Sequence, residues 1–254
     1  MGAILTIAKR DFKSAFASPK AAAIFFFFLM TMGLFFYNFV ASLLEAQARA
    51  PMMGGQAPNL EELIRALFYN LHFTLILIIP AITMATFAEE KKNQSFRILQ
   101  TAPITALQIV LGKFLAIAGI MAVVLVASSI YPLFLVKYGN PDSGVIYTSY
   151  LGIFLLICGQ LAFGLWVSSM TKNQIMAFIF TMFGLFMLMV LNWLAPNLTG
   201  NDFFESMLKY IASTEHLDVF FKGLITIADI AYFVLFAGIF LFFTNIVIDS
   251  QRWR

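Results

Sequence analysis

The chain alternates long apolar runs with short polar ones, and six of the apolar runs, at about 20–44, 67–88, 114–136, 147–170, 175–195 and 227–248, are long enough to be read as spans. At 1.5 Å rise per residue each crosses most or all of a hydrocarbon core roughly 30 Å thick as a helix. The first run opens behind Ser18 and Pro19, a capping residue followed by one suited to a first helical turn. It is longer than the about 7 to 15 residues of a signal-peptide core, so it predicts an uncleaved first span. In the second run Pro80 removes the amide that would bond the Ile76 carbonyl and predicts a kink, while His72 near the run's end reads as interfacial. The third run carries Ala118 and Ala122 on a small-residue face that lets a neighbouring helix approach. Only Thr171, Lys172, Asn173 and Gln174 separate the fourth and fifth runs, which predicts a tight helical hairpin.

The pieces between the runs have patterns of their own. Ile4, Leu5, Ala8, Phe12, Ala15 and Phe16 share one helical face and Lys9, Arg10 and Lys13 the other, the signature of an interfacial helix before the first span. The longest polar interruption runs from Met84 to Lys113. It opens with Glu89, Glu90, Lys91 and Lys92, continues through Phe96, Arg97, Ile98 and Leu99 to Thr101, and breaks at Pro103, which stops a helix near Ala102. Thr105 followed by Gln108 then predicts a capping box at the next helix start. Apolar residues on a short helix that the bilayer need not bury predict docking on a partner. Between the last two runs, Phe203, Phe204, Met207, Leu208 and Ile211 share a face, and Val219, Phe220, Leu224 and Ile225 follow Ser213 and Thr214, which are read as a cap. Two short amphipathic helices are expected there.

Composition makes this a membrane protein. The 254 residues are 61% hydrophobic and 11% charged, with mean hydropathy +0.88, against about a quarter charged in soluble domains. The expected fold is therefore an all-α polytopic membrane protein. It has six transmembrane helices, an N-terminal interfacial helix, a helix between spans 2 and 3, and short helices between spans 5 and 6. With both termini inside, Lys9, Arg10, Lys13, Lys20, Lys91, Lys92, Arg97, Lys113, Lys172, Arg252 and Arg254 fall on the inner side, against Arg49, Arg65, Lys137, Lys209 and Lys222 outside. That bias satisfies the positive-inside rule, and Trp166 and Trp253 near one boundary with Trp193 near the other suit the aromatic belts. The net charge of +3 follows from this asymmetry and points to no nucleic acid. The single Cys158 offers no intrachain disulfide.

The sequence holds no G-x-x-x-x-G-K-[ST] loop, no H-E-x-x-H and no G-x-S-x-G, so nucleotide binding of the Walker type and the common hydrolase chemistries are not expected on this chain. No metal set suggests itself. Asp229, close to one end of the last run, is the acid placed to enter a span and is the candidate for an outer gate. With so few ionisable groups near mid-membrane, the power source is expected on another chain.

These features together resemble the ABC-2 type permeases of the type V ABC exporter group, most closely the gliding-motility-associated permeases. The resemblance is carried by Phe87–Lys92 (FAEEKK), Leu99–Ile104 (LQTAPI), Ile109–Lys113 (IVLGK), Lys222–Leu224 with Asp229–Tyr232 (KGL and DIAY), and the closing Arg252, Trp253 and Arg254. It spans nearly the whole chain and implies one ABC-2 type transmembrane domain over residues 1–254. The function it implies is that of a non-catalytic permease subunit that couples ATP hydrolysis on a separate ATPase to export. The implied partners are an ATPase dimer that holds ATP and magnesium, a second permease copy or paralogue, membrane lipid and an envelope auxiliary subunit. The implied location is the bacterial inner membrane with both termini cytoplasmic, and Glu89 to Thr101 would be the coupling helix. Where the family commonly has Gly-Thr followed by an acid, this chain reads Gln94, Ser95, Phe96, Arg97, with the charge reversed. The alternative is a membrane anchor that transmits mechanical work to an envelope or gliding complex and moves no solute.

Overall fold

The computed structural model describes residues 2–53, 60–93, 104–139, 142–198 and 202–251. Among the described residues the regular structure is all helix: α1 Gly2–Phe16, α2 Pro19–Met53, α3 Leu60–Thr83, α4 Ala88–Lys92, α5 Ala106–Ser128, α6 Ile130–Gly139, α7 Ser143–Met170, α8 Gln174–Leu198, α9 Asp202–Ile211, α10 Ser213–Phe221 and α11 Ile227–Ser250. Among the described residues six stretches are long and apolar enough to cross a membrane: Ala21–Arg49, Ile64–Lys92, Ala106–Lys137, Ser143–Met170, Gln174–Ala195 and Ile227–Ser250.

The fourth span, α7, is the hub, packed against α3, α5, α8, α10 and α11. Its glycines make this possible. A Cβ on Gly164 would lie 2.8 Å from the Thr83 Cβ of α3, one on Gly152 2.7 Å from Phe220 of α10, and one on Gly159 3.1 Å from Phe236 of α11. Absence of a side chain at these three positions lets three elements close on one helix. The apolar windows of the second, third and fourth spans are 61%, 61% and 67% buried, whereas those of the first, fifth and sixth are each 17% buried. The core is thus built from three spans, and the other three present apolar faces outward, with Phe26, Met30 and Leu34 on α2, Phe180 and Phe183 on α8, and Leu235 and Phe242 on α11 exposed.

Three expectations change. The third span is not one helix: it breaks at Ser129, where the chain makes a tighter turn from the Ser129 amide to the Val126 carbonyl at 3.2 Å. Pro132 is the cause, because it has no amide to give the Ser128 carbonyl one turn back. α1 packs along α5 rather than only lying on a surface. Its inward stripe is turned from the expected one. Ile7 is buried and Ile4, Ala8, Asp11 and Phe12 are half-buried, while Leu5 and Phe16 are exposed. The second short helix begins at Ser213 with Ala212 as its cap and no capping side chain, and it ends at Phe221, leaving Leu224 and Ile225 exposed beyond it. His72 faces protein and is 1% exposed within the bundle.

Candidate coupling site

The segment that leaves the second span is fixed by backbone bonds. α3 closes at Thr83, whose hydroxyl donates to the Ile79 carbonyl at 2.9 Å, and the chain turns through residues 84–87 with the Met84 amide on the Pro80 carbonyl at 2.9 Å. Phe87 is fully buried at the start of α4. Its amide and that of Ala88 both donate to Ser168 Oγ at 3.2 Å, and the same hydroxyl donates to the Met84 carbonyl at 3.3 Å. One serine near the end of α7 therefore satisfies three backbone groups of the segment, groups that would be costly if buried unpaired. The next residue along, Ser169, offers its carbonyl to the Lys91 ammonium and, at 3.3 Å, to Gln251 Nε2 just after α11. The second, fourth and sixth spans are joined there.

A buried cation makes the second junction. The predicted capping box is present: the Gln108 amide donates to Thr105 Oγ1 at 3.3 Å and the Thr105 amide to Gln108 Oε1 at 3.0 Å. This start sets Lys113 two turns into α5, where it is 2% exposed. Its ammonium lies 2.6 Å from Glu90 Oε1 of α4, 3.3 Å from Asp11 Oδ2 of α1 and 5.4 Å from the Phe87 ring centroid. A buried ammonium is tolerable when carboxylates and an aromatic face replace its water. Asp11 is further held by Arg10 at 2.8 Å. α1 comes close enough because of Gly112, where a Cβ would fall 2.8 Å from Ile7 Cβ, and Gly119, where it would fall 3.3 Å from the Phe12 ring.

Of the residues singled out from the sequence, Glu90 and Lys91 are thus in the two junctions, Glu89 is half-buried and Lys92 is exposed. Phe96, Arg97, Leu99, Thr101 and Pro103 lie outside the described residues, as do Trp253 and Arg254. An open cavity of about 650 Å³ adjoins the junction, lined by Asp11, Glu89, Glu90 and Lys113 at one end and by Phe25 and Ile120 among the apolar residues. Asp11, Lys113 as a partner, and Ser168 were missed. Asp11 had a visible signal, since an acid at the i+3 and i+4 spacing from Ala8 and Ile7 on an apolar stripe needs a cation nearby. Ser168 had none.

Asp229 lies at the other end of the bundle. The amide of Asp229 donates to Thr226 Oγ1 at 3.2 Å, capping α11, and the Thr226 hydroxyl donates to Asp229 Oδ2. His216 of α10, which the sequence did not mark, has Nδ1 2.6 Å from Asp229 Oδ1 and Nε2 3.0 Å from the Tyr210 carbonyl. Its ring stacks on Tyr232 with centroids 3.9 Å apart. Nearby, Asp218 accepts from Tyr69 Oη at 2.6 Å and pairs with Lys222, while Arg65 Nε donates to the Phe221 carbonyl at 3.2 Å. Burial raises the Asp218 carboxyl, but the hydrogen bonds from Lys222 and Tyr69 and the charges of Lys222 and Arg65 outweigh it and hold the group below its ordinary 3.8.

Six apolar spans, the fourth of them a glycine-lined hub, with a polar segment between the second and third tied into the bundle at two points, define a polytopic membrane protein. The description "ABC-2 family transporter protein" matches residues 5–248, and the chain belongs to that family. A search of curated proteins finds no match.

Proposed function

We propose that this chain is the membrane-spanning permease subunit of an ATP-binding-cassette exporter, and that α4 with the residues after it, through Pro103, receives the motion of a separate ATPase. The observation that carries the reading is the Lys113 junction. A displacement of α4 acts through Glu90 on α5 and, through the same ammonium, on Asp11 of α1. Through Ser168 and Ser169 it also acts on α7, and α7 touches every other element of the core. A buried ion pair resists separation because either partner left alone in a low dielectric is costly, so the four elements move together rather than shear. In this reading the α1 and α4 end faces the cytoplasm, ATP and magnesium stay on the ATPase, and two permease copies face each other across the exposed apolar faces of their outer spans.

The test is charge reversal in the proposed docking segment, Glu89→Lys and Arg97→Glu, in the chain co-purified with its ATPase. Loss of association, or of permease-stimulated ATP hydrolysis, is expected. Unchanged pull-down together with unchanged stimulated hydrolysis would sink the reading.

A further inference from the structure

The pair His216 and Asp229 is buried, with 4% and 7% of each residue exposed, and its hydrogen bonds do not balance without an additional proton. Tyr210's carbonyl is an acceptor only, so the contact of His216 Nε2, 3.0 Å away, is a hydrogen bond only when Nε2 carries the hydrogen. A neutral imidazole has just one N–H, which then leaves Nδ1 as a bare lone pair. That lone pair would face Asp229 Oδ1 at 2.6 Å, an acceptor against an acceptor. The other carboxylate oxygen is already occupied by the Thr226 hydroxyl, whose own oxygen accepts the Asp229 amide, so threonine has no second hydrogen to give. With its single N–H a neutral imidazole can serve Asp229 or the Tyr210 carbonyl but not both; the two contacts close together only if an additional proton is held by the pair, as imidazolium with carboxylate or as imidazole with carboxylic acid.

We propose that His216 and Asp229 form a proton-binding site whose bound proton clamps α9 and α10 to the start of the sixth span. One imidazole reaches three elements: the Tyr210 carbonyl of α9, its own α10, and Asp229 of α11. The groups that face it are Tyr210, edge-on at 5.0 Å between centroids, Tyr232, stacked at 3.9 Å, and Asp229. The remaining charges on the elements packed about it are engaged elsewhere or face solvent. Glu205 pairs with Lys209 at 2.7 Å on α9, Asp218 with Lys222 and Tyr69, and Glu215 is exposed. α7 and α8 contain no lysine, arginine, histidine or acid at all. Among the described residues no other cation contacts Asp229 to take the proton's place. When the proton leaves, the one remaining N–H serves either Asp229 or the Tyr210 carbonyl, a lone pair confronts an acceptor at the other contact, and one side of the clamp must loosen. The site is independent of the ATPase reading and would hold for any function of the bundle.

The experiment is amide hydrogen exchange over residues 202–226 of the full chain in lipid nanodiscs, corrected for intrinsic exchange. It runs through an alkaline series that ends where the whole chain unfolds. The wild type loses protection of this segment, on the order of tenfold, while the rest of the bundle is still folded. Asp229→Asn supplies a permanent amide hydrogen to Nδ1 in place of the proton and keeps its protection through the same range. If wild type and Asp229→Asn behave alike at every pH, the proposal is overturned. A second measurement does not depend on the variant folding: the chain has two histidines, and of these His72 has no hydrogen-bond partner on either ring nitrogen among the described residues. In 15N-histidine NMR at neutral pH, His216 shows a hydrogen on Nε2 and a second, strongly deshielded one shared at Nδ1. A bare Nδ1 with no shared proton overturns the proposal.

Discussion

Lys113 is buried between two carboxylates, so its loss is expected to be costly. In Lys113→Met the side chain keeps its volume, but Asp11 and Glu90 face each other across an apolar stem with no cation between them. Removing one member of a buried ionic cluster costs about 3 kcal/mol or more, so thermal unfolding in detergent is expected at a clearly lower midpoint than in wild type. Ser168→Ala is the subtler change. It strands two buried amides, those of Phe87 and Ala88, for a cost of about 2 kcal/mol. Because it touches the attachment of α4 to α7 and nothing on the surface of α4, the proposed coupling predicts that an ATPase partner still binds while its stimulation by the permease falls. Titration of binding and of hydrolysis on the same preparation separates the two. The capping box was legible in the sequence, since Thr105 and Gln108 are three residues apart and the rule is local. The Lys113 cluster was not, because its acids come from 23 and 102 residues away. The burial of His72 was not legible for a related reason: position along a span gives depth, and says nothing about which side faces protein.

At the scale of elements, α1 is held by fit. Gly112→Leu would drive a side chain into Ile7, whose Cβ already stands where a Cβ of residue 112 would be only 2.8 Å off. α1 then has to leave α5, and protease digestion from the N-terminus, slow in the wild type, is expected to become fast in the variant. At the other end α10 is held partly by the Asp218 carboxylate. Its pKa is lowered on folding, so its contribution is fully present above the ordinary carboxylate range and is lost as pH falls through the folded value. Exchange over residues 213–222 should therefore rise on strong acidification in wild type and not in Asp218→Asn. The spans themselves were readable from run length, and the short α9 and α10 from their amphipathic faces. The break at Ser129 was within reach too, since Pro132 lies in plain view, but an unbroken apolar run hides a proline's effect on its own helix. The start of α10 at Ser213 was less accessible, because tertiary packing of Ala212, fully buried, overrides the serine and threonine capping preference.

The whole molecule is asymmetric in how it buries its apolar surface. Three spans make a core and three keep only 17% of their apolar windows inside, so lipid or a second copy must cover the remainder. The proposed pairing of permeases predicts that native mass spectrometry of the intact transporter finds two copies of the 28.5 kDa chain with two ATPase chains. Finding one permease per complex would overturn the proposed pairing. Flux in vesicles then distinguishes an exporter from a mechanical transducer, because the latter hydrolyses ATP without moving solute.

The attachment of Asp11 to Lys113 also imposes an order on biogenesis. α1 is made before its ionic partner, which emerges 102 residues later, beyond the first two spans. During that interval Asp11 has its neighbour Arg10 to pair with but not Lys113, and α1 is held by its basic flank. It takes its final position only when the third span arrives, so this end is completed only after three spans are made.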